Sequence, residues 1–272
     1  MPPGVLWVSS RIRNPSILTP QHFCDWYENT HIHEVTSLPG VPRAARYEVI
    51  PQTPTRNPSS ITTSSPSPQD ANPDAALDTG AEANEPAPWL TVYEMPDVSY
   101  RETTEFKGLD GQSEPRKELL EGVFKQARFD TRFYEGVQVV EREGGVPEGP
   151  APLLISACLQ PSPSSPSQFN AWYTTEHIPL ISRIPGFRRL RRFKVINASV
   201  LDQFVRKSPK VPQYLTLCEF DGEMLPIKEL AETGQTEWAR EVMEGLEMAE
   251  VGYYRLKGGY GWKRGAGEGA RI

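Results

Sequence analysis

The chain carries the same pattern of residues twice, at an offset of 146 positions. The first copy runs from Phe23 to Gly40 and the second from Phe169 to Gly186. In each copy a Phe precedes a Trp-Tyr pair, a His stands five residues after the Trp, and Pro-Gly closes the pattern. The 272 residues include only 6 Trp and 4 His, so their ordered recurrence indicates an internal duplication. Any fold for this chain must therefore accommodate two similar halves.

The duplication sets the domain boundaries. The first half covers 1–143, the second covers 151–258, and a Gly- and Pro-rich linker at 144–150 joins them. The Gly-rich residues 259–272 are interpreted as a flexible tail. The alignment of the halves is interrupted at 51–88, a segment with eight prolines and few large aliphatic side chains. Such a segment buries too little apolar surface to offset its ordering entropy, so we predict a disordered insert between two strands.

Both halves show the same order of predicted elements, β-α-β-β-α-β, which is typical of the ferredoxin-like unit. In such a unit the helices cover one face of the sheet and leave the other face bare. Two units in one chain can cover these faces mutually, so we predict an α+β fold in which two ferredoxin-like repeats form an intrachain α/β barrel around a central cavity. Strands are predicted near 5–8, 41–50, 89–95, 134–141, 153–159, 187–196, 213–220 and 250–257, and helices near 19–38, 115–128, 166–184 and 226–244.

Charge and composition exclude several classes of protein. The net charge is −6 with a pI near 5.4, whereas a general nucleic-acid binder needs a basic surface. The basic run from Phe187 to Lys194 lacks the glycine-containing pattern of an RNA-binding strand and is interpreted as a solvated strand face. The sequence has no apolar stretch of membrane-spanning length, and Cys24, Cys158 and Cys218 show no metal-binding spacing. We expect a soluble cytoplasmic protein with reduced cysteines and neither nucleic acid nor membrane as a partner.

The repeated residues resemble the dimeric α/β-barrel superfamily and, within it, EthD-like proteins. The resemblance rests on the Trp-Tyr pair, the His five residues after the Trp, the Pro-Gly and the following strand with Arg-Tyr or Arg-Phe. It implies a tandem fusion of two barrel-forming domains. Members include isomerases, cyclases, decarboxylases, dehydratases, cofactor-free or haem-dependent oxygenases and proteins of no assigned activity, and many act on aromatic or polyketide-like compounds. The family pattern has Ile-Pro directly after the His, and the second repeat keeps this proline as Pro179. The first repeat departs from the pattern with His33 at that position, and the second departs from it with Glu176 at a position where another His is frequent.

The two repeated histidines are the leading candidates for catalysis. Helical periodicity places both His31 and His177 on the inward face of their helices. Each is either a neutral core imidazole or a general acid/base at the cavity, since imidazole titrates near neutrality without a special environment. His31 is the preferred candidate. His31 and His33 diverge on a helix, and the chain has no HExxH, so we predict no metal and no cofactor.

Repeated tyrosines and tryptophans accompany the histidines. Tyr27 and Tyr173 precede their histidines by four residues, so each phenol either donates a hydrogen bond to a developing oxyanion or serves as a core residue with a hydrogen-bonded tip. Trp26 and Trp172 are interpreted mainly as wedges between helix and sheet, and they are counted among the candidate substrate-binding residues.

Repeated charges lie inside apolar strands. Arg46 and Arg192 lie in the second strand of each half, and Glu94 and Glu219 in the third. If they face the cavity, they pair with one another or hold a substrate carboxylate; a salt bridge at the rim is the alternative.

Three functions remain open from the sequence. The leading hypothesis is a cofactor-free EthD-like lyase or isomerase, meaning a cyclase, dehydratase or decarboxylase, that acts on a small aromatic or polyketide-like substrate by histidine acid-base catalysis. The alternative is a non-catalytic barrel that binds a hydrophobic ligand or serves in a stress response. A haem-dependent monooxygenase is the least supported of the three hypotheses. A homodimer is compatible with each. A cavity of several hundred cubic ångströms reached by a histidine favours the enzyme, and a filled interior favours the binding protein.

Overall fold

The computed structural model describes residues 2–51, 86–163 and 166–262. The predicted disordered insert lies almost wholly outside these ranges, as does the predicted tail after Trp262. The first half contains β1 (Gly4–Ile12), α1 (Pro20–Trp26), a π-helical turn (Tyr27–His31), α2 (Ile32–Thr36), β2 (Arg43–Val49), β3 (Trp89–Met95), a 3-10 helix (Val98–Glu102), α3 (Thr104–Lys107), α4 (Lys117–Gly122), a 3-10 turn (Phe124–Gln126) and β4 (Ala127–Glu141).

The second half repeats this order. It contains β5 (Leu153–Pro161), α5 (Pro166–Trp172), a π-helical turn (Tyr173–His177), α6 (Ile178–Ile181), β6 (Phe187–Asp202), a short β7 (Val205–Lys207), β8 (Tyr214–Phe220), α7 (Ile227–Thr233), α8 (Glu237–Glu244) and β9 (Leu246–Tyr260). None of the helices in the described part of the chain is long and apolar enough to cross a membrane.

Eight antiparallel strands close into a barrel. Their order is β4-β1-β3-β2-β9-β5-β8-β6, and β6 pairs back onto β4, while β7 only extends the sheet beyond β6. Each half contributes its strands in the order fourth, first, third, second, and the halves join at β2–β9 and β4–β6. The predicted α+β barrel is therefore confirmed.

The barrel interior is filled with side chains, whereas a central cavity was expected. Trp7, Tyr47, Phe193 and Tyr254 belong to the apolar cluster inside the barrel. The space left near Tyr47 and Glu94 is about 10 Å³, room for about one water. Two further apolar clusters lie outside the barrel wall, one in each half, between the strands and the helices. The apolar side chains of the repeated helices therefore pack in these two outer layers and not in the barrel interior.

Several elements differ from their predicted bounds. β4, β6 and β9 contain 15, 16 and 15 residues because each continues into pairing with the other half. β9 reaches Tyr260 and so includes the first two residues of the predicted tail. The single helix predicted at 226–244 is divided into α7 and α8, because Gly234 ends the first and the Thr236 hydroxyl caps the second.

The basic run Phe187–Lys194 is not a solvated strand face. Arg188 and Arg192 are buried, and Arg189 and Arg191 are ion-paired inside the barrel end. These arginines are not solvated because β6 is a barrel strand whose two faces are both covered.

Candidate functional site

In each half the helix after the first strand contains a π-helical turn at the same place, Tyr27–His31 and Tyr173–His177. The backbone N–H of the residue after each histidine donates to the carbonyl of the tyrosine five residues earlier. Such a turn holds one residue more than an α-helical turn, so residues five apart lie over one another. The turn forms whether His33 or Pro179 follows two residues after the histidine, so that sequence difference leaves the helix unchanged.

The first half assembles four of the predicted residues into one cluster. The His31 ring stacks on Trp26, with centroids 4.9 Å apart, and meets the edge of Tyr27 at 5.1 Å. The Tyr27 and Tyr93 hydroxyls share a hydrogen bond of 3.1 Å. The Arg46 guanidinium lies 3.8 Å above the Tyr27 ring and donates to the Thr91 hydroxyl.

The second half builds the same cluster from the second copy of the pattern. His177 stacks on Trp172 at 4.2 Å and meets Tyr173 at 5.2 Å. The Thr216 hydroxyl donates to the Tyr173 hydroxyl, and Arg192 lies 4.0 Å above that ring. The two pattern copies thus have similar surroundings, and Trp26 and Trp172 are stacking partners of the histidines rather than simple wedges.

A pocket opens beside His31, which we call the His31 pocket. It lies between the sheet and the helical layer of the first half, outside the barrel wall, and offers about 50 Å³ to water. Its aromatic lining comprises Tyr27, Tyr93, Phe106, Phe124 and Phe129, and its polar lining includes Asp110, Gln112, Thr131 and Arg206. The two histidines therefore lie in separate helix-sheet layers and do not share one central chamber.

Both histidine rings are held in the neutral form. Burial, with a smaller contribution from Arg46, lowers the pKa of His31 to about 4. Burial and Arg192 lower the pKa of His177 to about 4. The Nδ1 atom of each ring is buried without a hydrogen-bond partner. Each imidazole therefore keeps a lone pair available at neutral pH.

The neighbouring phenols are held protonated. Burial raises the pKa of Tyr173 to about 12, and burial together with the adjacent Tyr27 raises that of Tyr93 well above its ordinary value. A protonated phenol can donate a hydrogen bond. The Tyr27–Tyr93 pair therefore has one hydroxyl proton to share between the two oxygens and one to offer to a ligand.

The predicted charged residues lie on two different faces of the barrel wall. Arg46 and Arg192 face the helices, where Arg192 donates to Asn170 Oδ1 at 2.7 Å. Glu94 and Glu219 face the interior and meet neither of those arginines, so the mutual pairing that the sequence left open as one alternative does not form.

Two arginines that the sequence analysis did not select bind the interior glutamates. Arg191 bridges Glu94 at 2.7 Å and Glu219 at 2.9 Å, and Arg189 also binds Glu219 at 2.9 Å. The alternation of side chains along β6 is the signal that could have separated Arg191 from Arg192.

The side chains and the space around His31 determine whether a metal or a haem can bind there. Among the described residues no three or more His, Cys, Asp or Glu side chains group as metal ligands. A haem needs a slot within the range of about 300–1,000 Å³ that ligand pockets occupy, and the His31 pocket offers about 50 Å³. The space beside His31, as the structure has it, is smaller than a haem requires.

Comparison with known proteins supports the architecture. No protein-family model matches the chain, and no curated protein matches it significantly. An anthrone oxidase-like protein superposes with a TM-score of 0.52 at 11% identity, over 97% of this chain and 94% of its own. A protein provisionally named a monooxygenase, from Fusobacterium nucleatum subsp. nucleatum, gives 0.51 at 6% identity, over 95% and 94%. These likenesses support the α+β barrel fold alone.

Proposed function

We propose that this chain is a tandem of ferredoxin-like repeats and a cofactor-free EthD-like lyase or isomerase, in which His31 moves a proton on a small aromatic or polyketide-like molecule. One observation carries the proposal: a buried, neutral imidazole lines an aromatic pocket beside a hydrogen-bonded pair of phenols. Cyclisation, dehydration and decarboxylation all use a group that gives or takes a proton next to a donor that stabilises an oxyanion.

The residues of the His31 pocket divide these tasks. The neutral His31 accepts a proton from the carbon next to a carbonyl, and the electron pair of that C–H bond forms an enolate. Tyr27 or Tyr93 donates a hydrogen bond to the enolate oxygen. The imidazolium then returns the proton to the substrate. The apolar surroundings keep water from competing for these hydrogen bonds.

The aromatic lining favours a flat, unsaturated ligand. Five aromatic rings surround the pocket, and such rings stack on or pack edge-on against a planar substrate. The name of the anthrone oxidase-like neighbour refers to an aromatic ketone, and we extend that substrate class to this chain. A bicyclic ligand exceeds about 50 Å³, so the segment around Gly111, whose carbonyl accepts a hydrogen bond from Arg206, has to move when it binds.

Deuterium exchange tests the proposal without knowledge of the natural substrate. The probe is 2-tetralone, an aromatic ketone with acidic C–H bonds, and incorporation of deuterium from D2O is followed by NMR. We expect exchange faster than in buffer, lost in His31→Gln and kept in the matched variant His177→Gln, which changes the same residue of the other half. If the two variants exchange at the same rate as the wild type, His31 is not the base.

A non-catalytic ligand-binding protein is the second candidate. The filled barrel interior favours it, because no central chamber is left for chemistry. This candidate predicts that 2-tetralone binds, with shifts of His31 resonances, while its deuterium exchange stays at the buffer rate.

A further inference from the structure

An acidic side chain lies next to the candidate base. Glu34 stands three residues after His31 at the start of α2, and its Oε2 lies 3.9 Å from His31 Nδ1. That nitrogen is buried and has no hydrogen-bond partner. The Glu34 side chain is 42% exposed, so it can rotate. A shift of about 1 Å would give a normal hydrogen bond.

The second half lacks this carboxylate. At the 146-residue offset, Leu180 stands in place of Glu34. The acidic residue of the second helix, Glu176, is engaged elsewhere, because it accepts hydrogen bonds from the Trp172 indole and the Thr236 hydroxyl. Only one of the two similar clusters thus places a carboxylate against the histidine nitrogen.

We propose that Glu34 is the positioning residue of His31. Its carboxylate accepts a hydrogen bond from Nδ1–H, which fixes the tautomer with a free Nε2 and turns Nε2 toward a ligand in the His31 pocket. The effect of Glu34 on catalysis rests on the proposed function of His31. The assignment of the His31 tautomer does not depend on that function. Glu34 itself touches no substrate.

The carboxylate also adjusts the strength of the base. A negative charge beside Nδ1 stabilises the imidazolium that forms when Nε2 takes a proton. It opposes the effects of burial and of Arg46, which both favour the neutral ring. The other groups facing this site are the Tyr27 and Tyr93 phenols within the pocket, and Asp110 and Arg116 beside Glu34. Burial and, to a smaller extent, Asp110 raise the pKa of Glu34, while Arg116 lowers it. Arg206 also lines the pocket.

Two variants test the assignment. Glu34→Leu copies the residue of the second half, and Glu34→Gln keeps an oxygen acceptor while removing the charge. In the 15N spectrum of the histidine rings we expect the wild type to show the Nδ1–H tautomer at His31, Glu34→Gln to keep it and Glu34→Leu to lose it. The pKa of His31 should fall in both variants, which loss of packing alone would not produce in Glu34→Gln.

The exchange of 2-tetralone gives the second readout. We expect Glu34→Leu to slow it about tenfold to 100-fold, as loss of a hydrogen-bond partner does for metal-bound histidines, and Glu34→Gln to slow it less. An unchanged tautomer and pKa in Glu34→Leu overturn the role of Glu34, whether or not the wild type catalyses exchange. A changed tautomer together with wild-type exchange at the buffer rate upholds the role of Glu34 and removes the proposed catalytic function.

Discussion

The two buried histidines should make the stability of this protein depend on pH well above the range where carboxylates titrate. The ordinary pKa of a histidine, which we take for the unfolded chain, is 6.5, and that of His31 and of His177 in the fold is about 4. As the pH falls below 6.5, these two histidines become protonated in the unfolded chain but stay neutral in the folded chain. The free energy of unfolding therefore falls with falling pH, and it stops changing from this cause below about pH 4.

The magnitude follows from the two pKa values. At pH 5 the unfolded histidine is almost fully protonated and the folded one is mostly neutral, so each site costs about 2 kcal/mol of stability relative to pH 7. Together His31 and His177 account for about 4 kcal/mol, a large part of the 5–15 kcal/mol that is typical of a folded protein. The full gap between the pKa values corresponds to about 3.4 kcal/mol for each ring.

Urea unfolding at pH 7, 6 and 5 measures this effect. We expect His31→Gln and His177→Gln each to remove about half of the loss between pH 7 and pH 5, whatever constant destabilisation each substitution brings, and the double variant to remove nearly all of it. A double variant with the same pH dependence as the wild type would refute the argument, because the protons would then be taken up elsewhere. A direct NMR titration of the histidine rings provides the independent check.

Three further predictions concern the surroundings of the candidate site. Arg191→Met leaves Glu219, whose side chain is 2% exposed, with Arg189 as its remaining arginine, and should lower the free energy of urea unfolding by about 1–3 kcal/mol; no loss would show that the Arg191 pair is solvated. Thr216→Val removes the hydroxyl that donates to Tyr173 and should cost about 1 kcal/mol in the same measurement, and no loss would show that this hydroxyl already has another partner. Of the three free cysteines only Cys24 should react with Ellman's reagent in the folded protein, because burial raises the pKa of the other two to about 12; fast reaction of more than one thiol would contradict their burial.

The repeat pattern was sufficient to predict the barrel and the similar surroundings of the two copies of the pattern. Trp and His recur in the same order, and the two halves of the structure place them in similar surroundings. The sequence does not reveal the π-helical turn. On a continuous α-helix, residues three or four apart are neighbours, so a spacing of five residues does not predict that Trp26 and His31 are in contact. The stacking of ring on ring, and with it the burial that keeps the histidine neutral, depends on that turn.

Alternation along β6 places Arg191 and Arg192 on opposite faces, but the sequence could not show which of them faces the interior, because the register of a barrel depends on pairings between the halves. Arg191 and Arg192 are adjacent in the sequence, yet one lies inside the barrel with Glu94 and the other faces the helices. A shift of one residue reverses these assignments. The register of β6 is fixed by its pairing with β4, which contains two irregularities, one of them at Gly136.

The two clusters differ in how they hold the indole nitrogen of their tryptophan. In the second half Glu176 joins the Trp172 indole to Thr236, the residue that caps α8, so the cluster is tied to the helical layer. In the first half Thr30 stands at the corresponding position, and the Trp26 indole nitrogen is buried without a partner. An unpaired buried donor costs about 1–3 kcal/mol. The first half thus leaves this donor unpaired in the cluster that contains His31, whereas the second half pairs it through Glu176.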